Sequence, residues 1–323
     1  MLACALIMAN KKLSSKAQIL AILRASGTPV SGEQMAGEVG ISRVSVWKAV
    51  QALQAAGYQI ASGKSGYTLE HDLEDSLFPW EFGADESRFC HFAEVPSTMS
   101  EARKIAQSPA PKTTHTTLQV VTADRQTQGH GQKDRKWVTT KDSLACTLIT
   151  QEHIPVATSF RLVMAAEVAL VNVLRGLCGR RFFVRWPNDI WSCEGKVAGV
   201  LDEFCATGDV CTWFNLGLGL NLSEHPKISK TDCAFHSTPA ATRKEVLLAF
   251  CREFKIQQKV AFSTDSSLAA SWSALCFDVG KTVRLTSCKR EARFEGIDGY
   301  GFALLDMGGK RLRVAPAQDS IAK

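Results

Sequence analysis

A chain of 323 residues, 45% hydrophobic and 22% charged, has the balance of an ordinary globular protein and room for two or three domains. Its net charge of +6 is a mild bias, compatible with a polyanionic partner and too small to define one. Eleven scattered cysteines, odd in number and without a Cys-x-x-Cys pair, argue against a disulfide framework or a zinc site and for a reducing cytoplasm.

The apolar start, Met1 to Ala9, is too short to span a membrane, and its charges (Lys11, Lys12) follow instead of preceding it. Residues 1–13 are expected to form a disordered leader, with Met8 as an alternative start, and no other stretch reads as transmembrane. From Ser15 to Ala25 an apolar stripe (Ile19, Leu20, Ile22, Leu23) predicts a helix, broken by Gly27-Thr28-Pro29. Ser31 and Gln34 have capping-box spacing for a short helix that Gly40 ends. Ser42 caps a third helix with Val46, Val50 and Leu53 as its buried stripe. Two strands around Ser62-Gly63-Lys64-Ser65-Gly66 make a wing. This order reads as a winged helix-turn-helix over 14–70, in which the first turns of the third helix meet base edges. Ser42, Arg43, Ser45, Trp47, Lys48 and Gln51, with Lys64 in the wing, are the candidate DNA-binding residues. Between Lys11 and Glu70 seven Lys/Arg face three Glu, and the capped short helix, the outward Arg43 and Lys48, and the basic wing together favour DNA over a protein-binding module.

Residues 71–87 are acidic and read as a linker with a helical turn. From 88 to 274, strand-like runs (89–95, 117–123, 144–150, 182–186, 197–204, 211–222) alternate with helix-like ones (98–107, 158–177, 241–262), with Thr158 or Ser159 as cap of the long helix. No Gly-x-x-x-x-Gly-Lys-Ser/Thr is present, so any ATP use is not by a P-loop. From 275 to 323, short β-like runs separated by Asp298-Gly299 and Gly308-Gly309 predict a small barrel.

The chemistry-bearing blocks lie in the central region. Pro96-Ser97-Thr98-Met99 ends a strand and opens a helix. Gln126 precedes the loop Gly129-His130-Gly131-Gln132, with Arg135 and Trp137 behind it; a Gly-x-Gly loop can wrap an anion in backbone N–H groups. Arg185-Trp186-Pro187-Asn188-Asp189 must leave its strand at the proline, and Gly195-Lys196-Val197-Ala198-Gly199 follows. Gly217-Leu218-Gly219-Leu220-Asn221 lies in an apolar strand. In this order the blocks resemble the biotin–protein ligase family, and with the N-terminal domain its bifunctional ligase and biotin operon repressor branch, the BirA family. The resemblance covers roughly residues 14 to 320.

The resemblance implies an α+β chain: winged helix-turn-helix, central mixed sheet related to class II aminoacyl-tRNA synthetases, and C-terminal SH3-like barrel. It implies biotin and ATP as substrates, with Mg2+ accompanying ATP and no dedicated metal site. Biotinyl-5′-adenylate is formed and passed to a lysine of the biotin carboxyl carrier domain of acetyl-CoA carboxylase. Operator DNA and a ligand-linked homodimer are the other implied partners, in the cytoplasm and off the membrane. Lys196 matches the family's essential lysine. Ser97, Thr98, Met99, Gln126 and Gly199 fall at biotin-binding positions; Gly129, His130, Gly131, Gln132, Arg135, Trp137, Asn188 and Asp189 fall at adenylate-binding ones.

The departures from the family pattern are Met99 for Asn, His130 and Gln132 for loop arginines, Asp134 for Gly, and Arg185 for Lys. They leave two alternatives open: a regulator whose degenerate ligase domain senses biotin or its adenylate, and a lipoate-type ligase.

Overall fold

Ser14, Ser31 and Ser42 start three helices by the same device. Each hydroxyl accepts the N–H three residues on, from Ala17, Gln34 and Ser45 respectively. In the computed structural model, which describes residues 13–108, 118–150, 153–236, 239–263, 267–286, 289–316, 318, 320 and 321, these helices are α1 (Ser15–Ala25), α2 (Gly32–Val39) and α3 (Arg43–Ala55). Residues 1–12 of the expected leader lie outside the described residues. The capping box at Ser31 is only half made, because the Gln34 amide turns to Glu38 (3.0 Å) and not back to the cap.

The chain divides into two units, Met1–His91 and Phe92–Lys323. In the first, Ile19, Leu20, Met35, Val46, Val50, Leu53 and Tyr58 form the core. The wing strands β1 (Gln59–Gly63) and β2 (Gly66–His71) pair antiparallel, and Val30 and Tyr67 exchange backbone hydrogen bonds, both 2.9 Å. Gly66 permits that approach: its φ is +129°, and a Cβ there would stand 2.2 Å from the Val30 carbonyl oxygen. The segment read as a linker packs onto this core. Arg24 bonds both oxygens of Asp72 (2.6 and 2.7 Å) and of Glu81 (3.1 and 2.8 Å). Trp80 donates to the Tyr58 hydroxyl, which itself donates to Glu81. Burial and that carboxylate push the Tyr58 phenol up to about 12.

In the second unit the elements run β3 (Phe89–Val95), α4 (Thr98–Gln107), β4 (Gln119–Gln126), β5 (Ser143–Thr150), β6 (Ile154–Pro155), α5 (Phe160–Cys178), β7 (Phe183–Arg185), β8 (Asp189–Trp191), β9 (Lys196–Thr207) and β10 (Val210–Asn221). The central mixed sheet has the order β3-β4-β5-β10-β9-β8-β7, with β6 beside β10. From β4 to β7 the neighbours are antiparallel. Thr158 and Ser159 do not cap α5: Ser159 already has helical dihedrals, and its hydroxyl donates back to the Val156 carbonyl. Residues 156–178 are long and apolar enough to cross a membrane, contrary to the sequence reading. They are mostly buried, as a core helix is, packed against α6 (Arg243–Phe262).

After α7 (Ser267–Leu275) comes a four-stranded antiparallel SH3-like sheet, β11 (Thr282–Arg284), β12 (Glu291–Ile297), β13 (Ala303–Met307) and β14 (Lys310–Val314). It is fastened to the central domain through the strand that ends in the Trp-Pro-Asn-Asp block. The Trp186 indole donates to the Gly301 carbonyl (3.1 Å), and Arg185 makes two bonds to buried Asp278 (2.9 and 3.0 Å).

Candidate active site and nucleic-acid interface

Strand alternation puts Gly217 and Gly219 of β10 on one face of the sheet, and glycine there leaves room for two large side chains. A Cβ on Gly217 would lie 2.8 Å from the Met99 methyl, and one on Gly219 would lie 2.4 Å from the Trp137 ring. Around that face is a cavity of about 320 Å³.

One end is built from the start of α4. Ser97 is its N-cap, accepting from the Met99 N–H at 3.2 Å. Thr98 donates its N–H to Gln126 Oε1 (2.8 Å) and receives a hydrogen bond from the Thr147 hydroxyl (2.9 Å). Gln126 therefore spends its carbonyl on the protein, with its amide 3.4 Å from Thr139 Oγ1.

The wall is the Gly129–Trp137 loop. Trp137 N–H donates to Gly129 O (2.9 Å) and Gly131 N–H to Arg135 O (2.6 Å). Gly129 has no space for a side chain, since a Cβ would meet the Trp137 carbonyl at 2.6 Å. Lys133 takes a left-handed conformation, φ 56°, to close the turn.

The third side is the β7–β9 ladder. Asp189, expected to sit in a turn, instead begins β8 and pairs with Gly199. Asn188 is a strut: its side-chain amide donates to the Val200 carbonyl, and its own carbonyl accepts the Val200 N–H at 2.9 Å. Lys196 Nζ lies 2.8 Å from Asp189 Oδ1, which is buried, and 5.5 Å from the Trp137 ring centre. Burial and the nearby Arg135 pull the Lys196 ammonium down to about 8, against the attraction of Asp189.

Of the candidate site residues of this region, the cavity is lined by Ser97, Thr98, Met99, Gln126, His130, Gly131, Gln132, Arg135, Trp137, Asn188, Asp189, Lys196 and Gly199, leaving Gly129 behind Trp137. Sequence reasoning missed Thr147, Trp191 and the Ser229-Lys230-Thr231 wall, which also line it. Lys230 is recognisable only in three dimensions: it has φ 62°, and its carbonyl receives the Lys196 N–H at 2.8 Å. Arg135, Lys136, Lys196 and Lys230 thus surround a cavity whose lining has one carboxylate, Asp189, among the described residues. That balance suits an anionic ligand. The Trp137 and Trp191 indole N–H groups are buried without a partner among the described residues, so donors remain for a ligand. Asp232, Cys233 and His236 have metal-ligand spacing, but Asp232 already pairs with Arg180 (3.0 Å) and accepts from Ser192.

In the first unit, Arg43, Trp47, Lys48 and Gln51 of α3 and Lys64 of the wing are exposed, whereas Ser45 is half-buried. The Ser42 and Ser45 hydroxyls bond each other (2.9 Å). Exposed Val44, absent from the sequence candidates, joins this face.

Residues 16–68 match an HTH domain, and residues 92–221 match the biotin/lipoate A/B protein ligase family. The bifunctional ligase/repressor BirA of Bacillus subtilis is 27% identical over 303 residues, covering 86% of this chain and 89% of that protein. The biotin–[acetyl-CoA-carboxylase] ligase of Paracoccus denitrificans is 27% identical over 242 residues, covering 70% and 97%. Among solved structures, the biotin protein ligase of Aquifex aeolicus in complex with biotin and ATP shares the fold, with a TM-score of 0.60 at 21% identity over 73% of this chain and 99% of that one. With the ligase blocks gathered around one cavity and a winged helix-turn-helix before them, the chain carries a domain of the biotin/lipoate A/B protein ligase family behind an HTH domain, and is similar over 86% of its length to a bifunctional ligase/repressor.

Proposed function

We propose that this chain activates biotin with ATP, transfers it to a carrier lysine, and represses transcription from an operator. A carboxylate oxygen of biotin attacks the α-phosphorus of ATP. The bond to the β-phosphate bridging oxygen breaks, and pyrophosphate leaves. The neutral ε-amine of a lysine on the biotin carboxyl carrier domain of acetyl-CoA carboxylase then attacks the acyl carbon. AMP departs with the bonding pair, and the new amide nitrogen loses its proton.

The observation that carries this reading is the position of Lys196. Its ammonium is aimed by buried Asp189 and stands between the Gly199 backbone and the Trp137 ring. Two anions must meet in the first step, and a fixed cation in a partly dehydrated cleft lowers that repulsion without reorganising. Ser97, Thr98 and Gln126 orient biotin, the Gly129–Trp137 loop covers the adenylate, and Mg2+ arrives with ATP. The carrier, the operator, a ligand-linked homodimer and a cytoplasmic location complete the proposal.

Biotin-dependent release of pyrophosphate, followed by transfer to a purified carrier, tests the ligase. A second reading, a regulator with a degenerate ligase, draws on Met99, His130 and Gln132 lining the cavity. Tight adenylate binding without transfer would favour it. For the repressor, Lys64→Ala should weaken binding to all duplexes and flatten the salt dependence, as loss of a phosphate contact does. Unchanged DNA affinity after removal of residues 1–70 would end that half of the proposal.

A further inference from the structure

Helix α3 carries two apolar faces. Val46, Val50 and Leu53 are buried, as a core stripe must be. Val44 and Trp47 are 61% and 52% exposed, although valine and tryptophan gain most from burial. They stand at i and i+3, so their side chains are neighbours on one face in the first turns of the helix. That face opens on a cleft of about 420 Å³ between α3 and the wing, lined by Val44, Trp47, Arg43 and Lys64, with Glu33 as the acid.

We propose that Val44 and Trp47 read thymine methyl groups in the major groove, making T·A pairs a required part of the operator. The inference rests on the DNA-binding reading above and adds what the surface recognises. Three features select this occupant. Cations frame the apolar pair: Arg43 precedes it, Lys48 follows it on the exposed side of α3, and Lys64 faces it across the cleft. A polyanion with apolar points on its surface fits that arrangement. Among base edges in the major groove, only thymine presents a methyl group. The helix start is also the part that meets base edges in this fold, so the contact needs no change of shape. The serines that a polar readout would use are engaged with each other at the cap.

The test uses the full chain. Random duplexes are selected for binding, and each thymine in the enriched sites is replaced by deoxyuridine, which removes one methyl and nothing else. At one or two positions per half-site the replacement should weaken binding about 4-fold, the worth of one buried methyl. Replacing the same pair by 5-methylcytosine·guanine should retain the methyl-dependent part. Val44→Ala should lose a similar factor and become insensitive to deoxyuridine at one position, with the salt slope unchanged. Trp47→Ala should do the same at the other. Both side chains are exposed, so folding is checked by an unchanged thermal transition.

Enriched duplexes without an invariant T·A pair, or with dispensable methyls, would overturn the inference while leaving DNA binding in place. Wild-type affinity in Val44→Ala and Trp47→Ala would also overturn it and would assign the apolar pair to a protein contact. Failure to bind any duplex would remove the repressor reading and this inference together.

Discussion

The Trp137 indole lies on the α-carbon of Gly219, so close that a Cβ there would stand 2.4 Å from Cε2 and 2.7 Å from Nε1. The same ring passes 3.7 Å from where a Cβ of Gly199 would be. Two glycines on neighbouring strands therefore form the seat of one tryptophan, and that tryptophan ends the Gly129–Trp137 loop.

Gly219→Ala should displace Trp137 and open the loop while leaving the sheet paired, because β10 is extended at this position. A misplacement of about 1 Å in a positioning group costs on the order of 10²-fold in rate. We expect that loss in biotin-dependent pyrophosphate release, with a change in tryptophan fluorescence and a small change in melting temperature. A full rate in the alanine variant would mean that Trp137 does not position the ligand.

Lys196 sets a pH dependence. The rate of adenylation at low substrate should be level below pH 8 and fall as pH rises through about 8, where the ammonium loses its proton. The stability contribution runs the other way. An unfolded lysine keeps its proton to 10.5, so the folded chain sheds it first, and the folding penalty of this group fades as pH rises from about 8 to 10.5. Lys196→Met should remove most adenylation, on the order of 10²-fold or more. Near wild-type adenylation in this variant would sink the assignment.

His130 and Gln132 both line the cavity, and neither offers a permanent charge. Charge-assisted hydrogen bonds are roughly twice as strong as neutral ones. His130→Arg with Gln132→Arg should therefore slow dissociation of biotinyl-adenylate by about tenfold. An unchanged dissociation rate would mean that Arg135, Lys136 and Lys230 already hold the phosphate.

Asn215 is fully buried in β10, and neither atom of its amide has a hydrogen-bond partner among the described residues. Burying an unsatisfied amide costs about 1–3 kcal/mol. Asn215→Val removes that cost and suits a strand, so thermal or denaturant unfolding should show about 1 kcal/mol of added stability. Destabilisation by this substitution would show that the amide is satisfied in solution.

The parts that were legible in the sequence share a physical property: they depend on residues close together in the chain. Ser31 and Ser42 cap helices through groups three residues away. The α3 stripe and the strand alternation around Gly217 and Gly219 repeat at fixed periods. The motif blocks were legible because each is a short run with a local conformation. Misreadings arose where a local preference met a competing partner. Gln34 found Glu38, one helical turn on, instead of its cap, and the acidic segment after His71 found the distant Arg24 and Tyr58.

The amino-acid order alone determined which helices, strands and motif blocks exist and their succession, because capping, periodicity and turn formation are short-range effects; the fold of the central and C-terminal domains and the part given to Lys196 were read from the resemblance those blocks carry. Tertiary structure decided what those blocks share: that Trp137 rests on Gly219, that Asp189 aims Lys196, that Lys230 joins the wall, and that Arg185 reaches Asp278 across 93 residues. Such contacts carry no sequence periodicity. They are fixed when the sheet brings its strands into register and burial leaves each polar group to find the partner that packing has placed beside it.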